Sequence, residues 1–285
     1  MTMTSNPTPN RAPHATAPGP AGTARASVRR VVALGRAELR LLWRNRTALF
    51  YALATPLFAV AFAGSSGASD AFPGGAVGAV VVTGVTVVAL GMAVYYNLVT
   101  AYVGRREEHV LKRLRTGELT DAEILAGTAV PSLAVAWLQV AVAIAVAAAA
   151  GRLRLPADTL LVVLAVALGS LVFPLLAAAS SAMTRTVEMA QVTTAPLLVL
   201  PLGLSGLLVP IHELPAGFAW AAEVMPLTPV VDLMRLGLLG VDRDGDHLST
   251  AATVTAAVPS LAVGAVWVVL GGWATRRWFR WEPRR

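Results

Sequence analysis

Six stretches of this chain contain no aspartate, glutamate, lysine, arginine or histidine: Thr47–Ser69, Ala71–Gly104, Ile124–Gly151, Thr159–Thr184, Met189–Ile211 and Leu248–Thr275. A membrane-spanning helix needs about 20 mainly apolar residues, and the apolar part of each stretch reaches that length. The first is the shortest, because Gly64-Ser65-Ser66-Gly67 reads as a turn. Lipid offers the backbone no hydrogen-bond partners, so such stretches must fold as helices. Pro56, Pro196 and Pro201 fall inside them, where neighbouring helices satisfy the freed carbonyls. Charged residues make up only 14% of the chain, against about 25% in soluble domains. A soluble enzyme and a disordered protein are both excluded. The expected fold is an all-α membrane protein with six transmembrane helices across residues 47–275.

The net charge of +7 comes almost wholly from arginine, since Lys112 is the only lysine. A nucleic-acid binder is basic but not this apolar. The positive-inside bias orients the chain instead. With a cytoplasmic N-terminus, 19 of the 23 basic residues lie inside, and only Arg152, Arg154, Arg235 and Arg243 lie outside. Both termini are then cytoplasmic. Residues 1–26, without an apolar run, read as a disordered cytoplasmic tail rather than a signal peptide. Residues 27–46 place Arg29, Arg30, Arg36, Arg40 and Arg44 on one helical face, opposite Val28, Val31, Leu34 and Leu42. This predicts an amphipathic helix lying in the headgroup plane, with no soluble core to pack on. Residues 276–285 form a basic tail.

Between the fifth and sixth stretches, residues 212–247 are apolar but interrupted. Glu213, Glu223 and Asp232, with Pro215, Pro226 and Pro229, rule out a lipid-exposed span. Short extracellular helices at or dipping into the membrane surface are expected there. No P-loop is present, because Lys112 follows Leu111 and precedes Arg113. His212-Glu213 begins a zinc-protease pattern, but residue 216 is alanine. There is no Gly-x-Ser-x-Gly elbow. No catalytic residue and no metal site are expected. The six stretches also lack the ionisable side chain that ion-driven carriers place at membrane depth.

Energy must then arrive from outside the bilayer, and the cytoplasmic loop 105–120 is where it can enter. Glu108 and Lys112 stand i,i+4 in the favourable order. Val110, Leu111 and Leu114 make a small apolar stripe. Gly117 can end the helix, and Thr120 with Glu123 reads as a capping box starting the third span. The outcome is a short charged helix, hinged at Gly117 and joined closely to two spans.

This loop resembles the coupling segment in the membrane subunits of ABC-2 type ATP-binding-cassette exporters, through Glu107/Glu108, Leu114-Arg115 and Ile124-Leu125. Gly117 stands where that family usually has proline. Ser205-Gly206, Pro210, Leu214-Pro215, Pro226-Leu227 and Arg235 resemble the family pattern after the fifth span, with Pro229 where His, Tyr, Ser or Arg is commoner. The resemblance implies two membrane subunits, a second copy or a homologue, and two cytoplasmic ATPase subunits that bind Mg-ATP. This chain itself carries no cofactor and is no enzyme. It implies outward passage of a small amphiphilic or drug-like substrate between the membrane halves, as in daunorubicin-type exporters. A lipid or polysaccharide exporter shares the architecture, and a self-sufficient carrier or channel is the alternative.

The residues assigned to ATPase coupling are Glu107, Glu108, Val110, Leu111, Arg113, Leu114 and Arg115. Those assigned to the substrate path, as polar groups on the second and fifth spans, are Tyr95, Tyr96, Asn97, Thr100, Gln191, Thr193 and Thr194. Their other role is hydrogen bonding between helices. The resemblance places Ser205, Gly206, Pro210, Pro215, Pro226 and Arg235 at an extracellular gate. The host membrane is a bacterial plasma membrane, since 22 arginines against one lysine suit a GC-rich genome.

Overall fold

Helix-forming apolar runs punctuated by capping residues set the element order. The computed structural model describes residues 20–44, 46, 50, 54, 57–59, 61, 76–115, 119–153, 156–207, 211, 214–243 and 246–281. The expected first span therefore falls almost wholly outside the described residues, as do most of the N-terminal tail, Gly117, Pro210 and residues 282–285. The helices are α1 (Pro20–Arg44), α2 (Ala76–Val88), a π-helical segment (Ala89–Tyr96), α3 (Asn97–Glu107) and α4 (Val110–Arg115). They continue with α5 (Asp121–Ala149), α6 (Thr159–Ser181), α7 (Ala190–Leu204), α8 (Ala216–Glu223), α9 (Thr228–Leu239) and α10 (Thr250–Trp278). Among the described residues no strand forms, and one antiparallel bridge, Val241 to His247, closes the loop before α10.

Among the described residues, four helices are long and apolar enough to cross a membrane: Val77–Glu107, Asp121–Ala149, Thr159–Ser181 and Ala251–Trp278. Three of the four starts follow capping chemistry. Thr120 Oγ1 accepts from Glu123 N at 3.3 Å while Glu123 Oε2 accepts from Thr120 N at 2.8 Å, the expected capping box. Asp158 caps α6 and Ser249 caps α10. Helix α7, at 15 residues, spans only about 22 Å at 1.5 Å per residue. It stops well before Ile211, because Ser205 turns its hydroxyl onto Leu202 O and Gly206 takes φ +76°, which ends a right-handed helix.

Contacts between helices fix their directions. Tyr102 Oη donates to Leu125 O at 3.1 Å, and Gly78 N donates to Arg152 O at 3.1 Å, so the α2–α3 rod runs antiparallel to α5. Gly91 faces Leu198 and Gly104 faces Val187, so the same rod runs antiparallel to α7. Gly169 against Leu90 makes α6 parallel to the rod. Gly264 against Leu168 and Gly271 against Leu175 make α10 parallel to α6. This is the alternation expected of successive crossings.

The long rod carries a strict spacing. Val82, Thr86, Leu90, Val94, Leu98, Tyr102 and Arg106 recur every fourth residue, and all are at most 1% exposed. In a plain α-helix a four-residue step advances about 400°, so the stripe would drift roughly 40° per turn around the rod. The π segment, with its wider i→i+5 turns, lies in the middle of the stripe and counters that drift.

Gly78 is where α2 meets the loop after α5: a Cβ there would lie 2.1 Å from Arg152 O. Gly84, two turns on, has nothing within 4 Å. Gly78→Ala should therefore lower stability by about 2 kcal/mol through forced separation, although alanine is the better helix former. Gly84→Ala should leave stability unchanged or slightly raised. Thermal unfolding of the purified protein in detergent compares the two, and equal behaviour would refute the close contact.

Two expectations change. Helix α1 begins at Pro20, seven residues before the expected start, and it does have a surface to pack on. Gly35 lies against Val130 and Gly127 against Leu34, and Arg30 Nη2 pairs with Glu123 Oε1 at 2.8 Å. Arg30 has thus left the expected cationic face for the carboxylate at the start of α5. The 212–247 region is not simply surface-lying. Helix α8 exposes Phe218 and Trp220, but ten of the twelve residues of α9 are buried. Helix α9 runs antiparallel to α10, with Leu248 N on Gly240 O at the top and Ser260 Oγ on Asp232 Oδ2 further down. Trp267 Nε1 donates to Val224 O at 2.8 Å, roughly 25 Å along α10 from its first residue. The α8–α9 turn is therefore sunk into the bundle. Gly237 makes this possible, because a Cβ there would meet the α6 backbone at Asp158 O and Val162 N within 3 Å.

Candidate functional site

The loop 105–120 is built by a break just after α3. His109 adopts φ +59°, the left-handed region, which non-glycine residues enter at some cost. The chain reverses there, and α4 starts at Val110. Glu108 consequently lies in the turn and not on α4, so the expected Glu108–Lys112 helical pair does not form on one helix. The side chains of Lys112 and Arg115 lie outside the described residues. Glu107, Glu108, His109 and Arg113 are exposed, and Val110 and Leu114 are half-buried. Leu111 is fully buried. Leu111, assigned with its neighbours to ATPase coupling, is turned into its own bundle and anchors α4 there, so that Leu114 is the more accessible leucine of the stripe.

Behind the loop stands a residue that the sequence reading passed over. Arg106, 1% exposed, donates from Nη1 to Ser181 O at 2.9 Å and from Nη2 to Thr184 O at 2.5 Å. These are carbonyls at the C-terminal end of α6, where cations are favoured and backbone acceptors lack helical partners. Arg105 Nη1 donates to Thr128 Oγ1 at 2.9 Å. The last turn of α3 is thereby tied to α6 on one side and to α5 on the other. Counting Arg105 and Arg106 as loop charges hid this; the four-residue stripe ending at Arg106 is the signal that reveals it.

The expected path residues divide. Tyr95 is buried against α6, with Oη and Ser180 Oγ 3.0 Å apart and its ring edge-on to Phe173. Thr194 is buried, its hydroxyl returned to Ala190 O, and Thr100 bonds Tyr96 O and Asn97 O of its own helix. Thr193 Oγ1 lies 2.8 Å from Thr184 Oγ1. The hydroxyls of Tyr95 and Thr194 are thus engaged within the bundle. Asn97 and Gln191 are exposed and Tyr96 is half-buried, on the neighbouring α3 rod and α7. If Asn97 bears on cargo, Asn97→Ala should change which compound is carried without changing assembly, as competition transport assays and gel filtration would separate.

Beyond α7 three of the six expected gate residues, Ser205, Gly206 and Arg235, come together. Ser205 is buried, and Gly206 O accepts from Arg235 Nη2 at 2.9 Å. Pro226 is buried in the sunken turn, while Pro215 is exposed at the start of α8. Arg243 Nη2 pairs with Asp232 Oδ2 at 2.6 Å and reaches Glu223 at 3.4 Å. Asp232 is only 4% exposed. An ionisable group thus lies inside the bundle, carried there by α9, while the six charge-free stretches remain without one.

A bundle of apolar helices, a charged turn at its basic end and a sunken helical hairpin at the other define the architecture. The profile of the ABC-2 type transporter family matches residues 29–239. The chain belongs to the ABC-2 type transporter family. No curated protein is similar enough to match. The ABC-2 match begins within α1 and ends at the last residue of α9, so it takes in the charged turn, the short α7 and the hairpin. This ABC-2 protein is a multi-pass membrane protein and a transport component, not a catalyst.

Proposed function

We propose that the chain is the permease subunit of an exporter powered by ATP bound, with magnesium, and hydrolysed in a separate ATPase subunit. The observation that carries this reading is α4: a short helix with Arg113 exposed and Leu114 half-buried, anchored by Leu111, at the end of a rod tied by Arg106 to α6. A push on Leu114, Arg113 or the Glu107-Glu108 turn moves the inner end of α3 together with the ends of α5 and α6 tied to it. The first span, over 47–69, and α7 bring the crossings to six, with both termini cytoplasmic in a bacterial plasma membrane. Two copies, or this chain and a homologue, face each other, and a small amphiphile passes outward along Tyr96, Asn97 and Gln191. The Gly206–Arg235 and Asp232–Arg243 ties hold the outer hairpin as a gate.

A second reading, an ion-driven carrier, is favoured by Asp232 alone, and its pairing with Arg243 already neutralises it. Reconstituted vesicles separate the two. Export should require the partner ATPase and ATP, with the permease and ATPase copurifying. Uptake or export driven by a proton or sodium gradient without ATP would establish the carrier instead.

A further inference from the structure

Helices α5, α6 and α10, with Tyr102 of α3, line a half-open cavity of about 560 Å³ that neither the coupling turn nor the exposed Tyr96–Asn97–Gln191 face uses. Its size falls within the ~300–1,000 Å³ of small-ligand sites. At its inner end α5 and α6 are held together by Trp137 Nε1 on Ser170 Oγ at 3.0 Å. Below that contact Pro174 stands in the α6 wall, and Gly272 leaves the α10 wall open, with nothing within 4 Å of its missing Cβ. Leu125, Leu133 and Leu171 line the space. Its mouth lies at the basic end, between Asp121 and Arg276. From Asp121 to Leu133 is about 18 Å along α5, close to one leaflet of a ~30 Å hydrocarbon core.

The mouth is cationic. Arg276 is exposed and makes no hydrogen bond or ion pair with the described residues, and Arg277 and Arg280 follow it; among the described lining residues Asp121 is the one carboxylate. We infer that the cavity binds an anionic phospholipid, one acyl chain lying between α5, α6 and α10 and its phosphate at Arg276. Basic recesses between spans at a membrane surface attract such headgroups, and an apolar slot one leaflet deep accepts the chain. The inference rests only on the chain being embedded in a bilayer, not on the exporter reading.

The test uses the full chain in nanodiscs of mixed phosphatidylglycerol and phosphatidylcholine, followed by detergent release and native mass spectrometry. Wild type should retain one phosphatidylglycerol per chain in preference to phosphatidylcholine. Arg276→Gln should cut that retention about fivefold and erase the preference. Gly272→Leu should displace the lipid by filling the slot while melting no lower than wild type, since a leucine there has room and favours the helix. Equal retention of the two lipids by wild type, or unchanged retention in both variants, overturns the proposal. So does a disulfide between two copies carrying Ala126→Cys, feasible because the chain has no cysteine of its own, since a second chain would then occupy the slot.

Discussion

Replacing Arg106 by leucine is expected to cost about 3 kcal/mol of stability, which is the loss expected when a buried charged donor is removed from its acceptors. Its guanidinium serves Ser181 O and Thr184 O, and both Ser181 and Thr184 are buried. Leucine fills part of the volume but satisfies neither carbonyl. The variant should melt several degrees below wild type in detergent and yield less protein in the membrane fraction. Arg106→Lys, which can reach one carbonyl, should fall in between. A leucine variant with wild-type melting would mean that the two carbonyls find other partners and that Arg106 does not hold α3 to α6.

Leu114→Asp should abolish transport and the stimulation of ATP hydrolysis by substrate, while insertion and melting stay near wild type. Leu114 is half-buried on a six-residue helix whose inner anchor, Leu111, is fully buried. A carboxylate at position 114 can remain hydrated in the isolated subunit. It would lose that water only on docking of the ATPase, and a charge buried without a partner is strongly disfavoured. Leu111→Asp is the contrasting variant: it places the charge inside the bundle and should lower melting before any partner binds. If Leu114→Asp transports normally, the contact lies elsewhere on the loop; if both variants melt low, α4 is wholly structural.

The helical class and the long crossings were legible because absence of charge over some 20 residues leaves few alternatives. The capping box at Thr120 and Glu123 was legible too, since it depends on four consecutive positions. What the chain concealed lies between distant positions. Glu123 completes its cap and also meets Arg30, 93 residues away, and nothing local distinguishes that arginine from its neighbours on α1. Gly78 meets a loop carbonyl at Arg152, a distant partner that no local pattern in the chain marks. Asp232 argued against a lipid-facing span, which is correct, but the same carboxylate is compatible with a helix buried among others once Arg243 and Ser260 meet it. Of the candidate site, the loop's position was readable; which side chains face outward was not, because His109 resets the helix phase after α3.

The π segment gives the α2–α3 rod a torsional property. Each wide turn holds the lower half of the rod at an angular setting that ordinary α geometry would not give it. Tightening Ala89–Tyr96 by one hydrogen-bond register would rotate Leu98, Tyr102 and Arg106, and the turn hanging from them, by about 100° relative to Val82 and Thr86. The rod is thus a screw whose thread pitch changes part-way along. Twist applied at its lower end need not reach its upper end, and a short segment of backbone can store the difference.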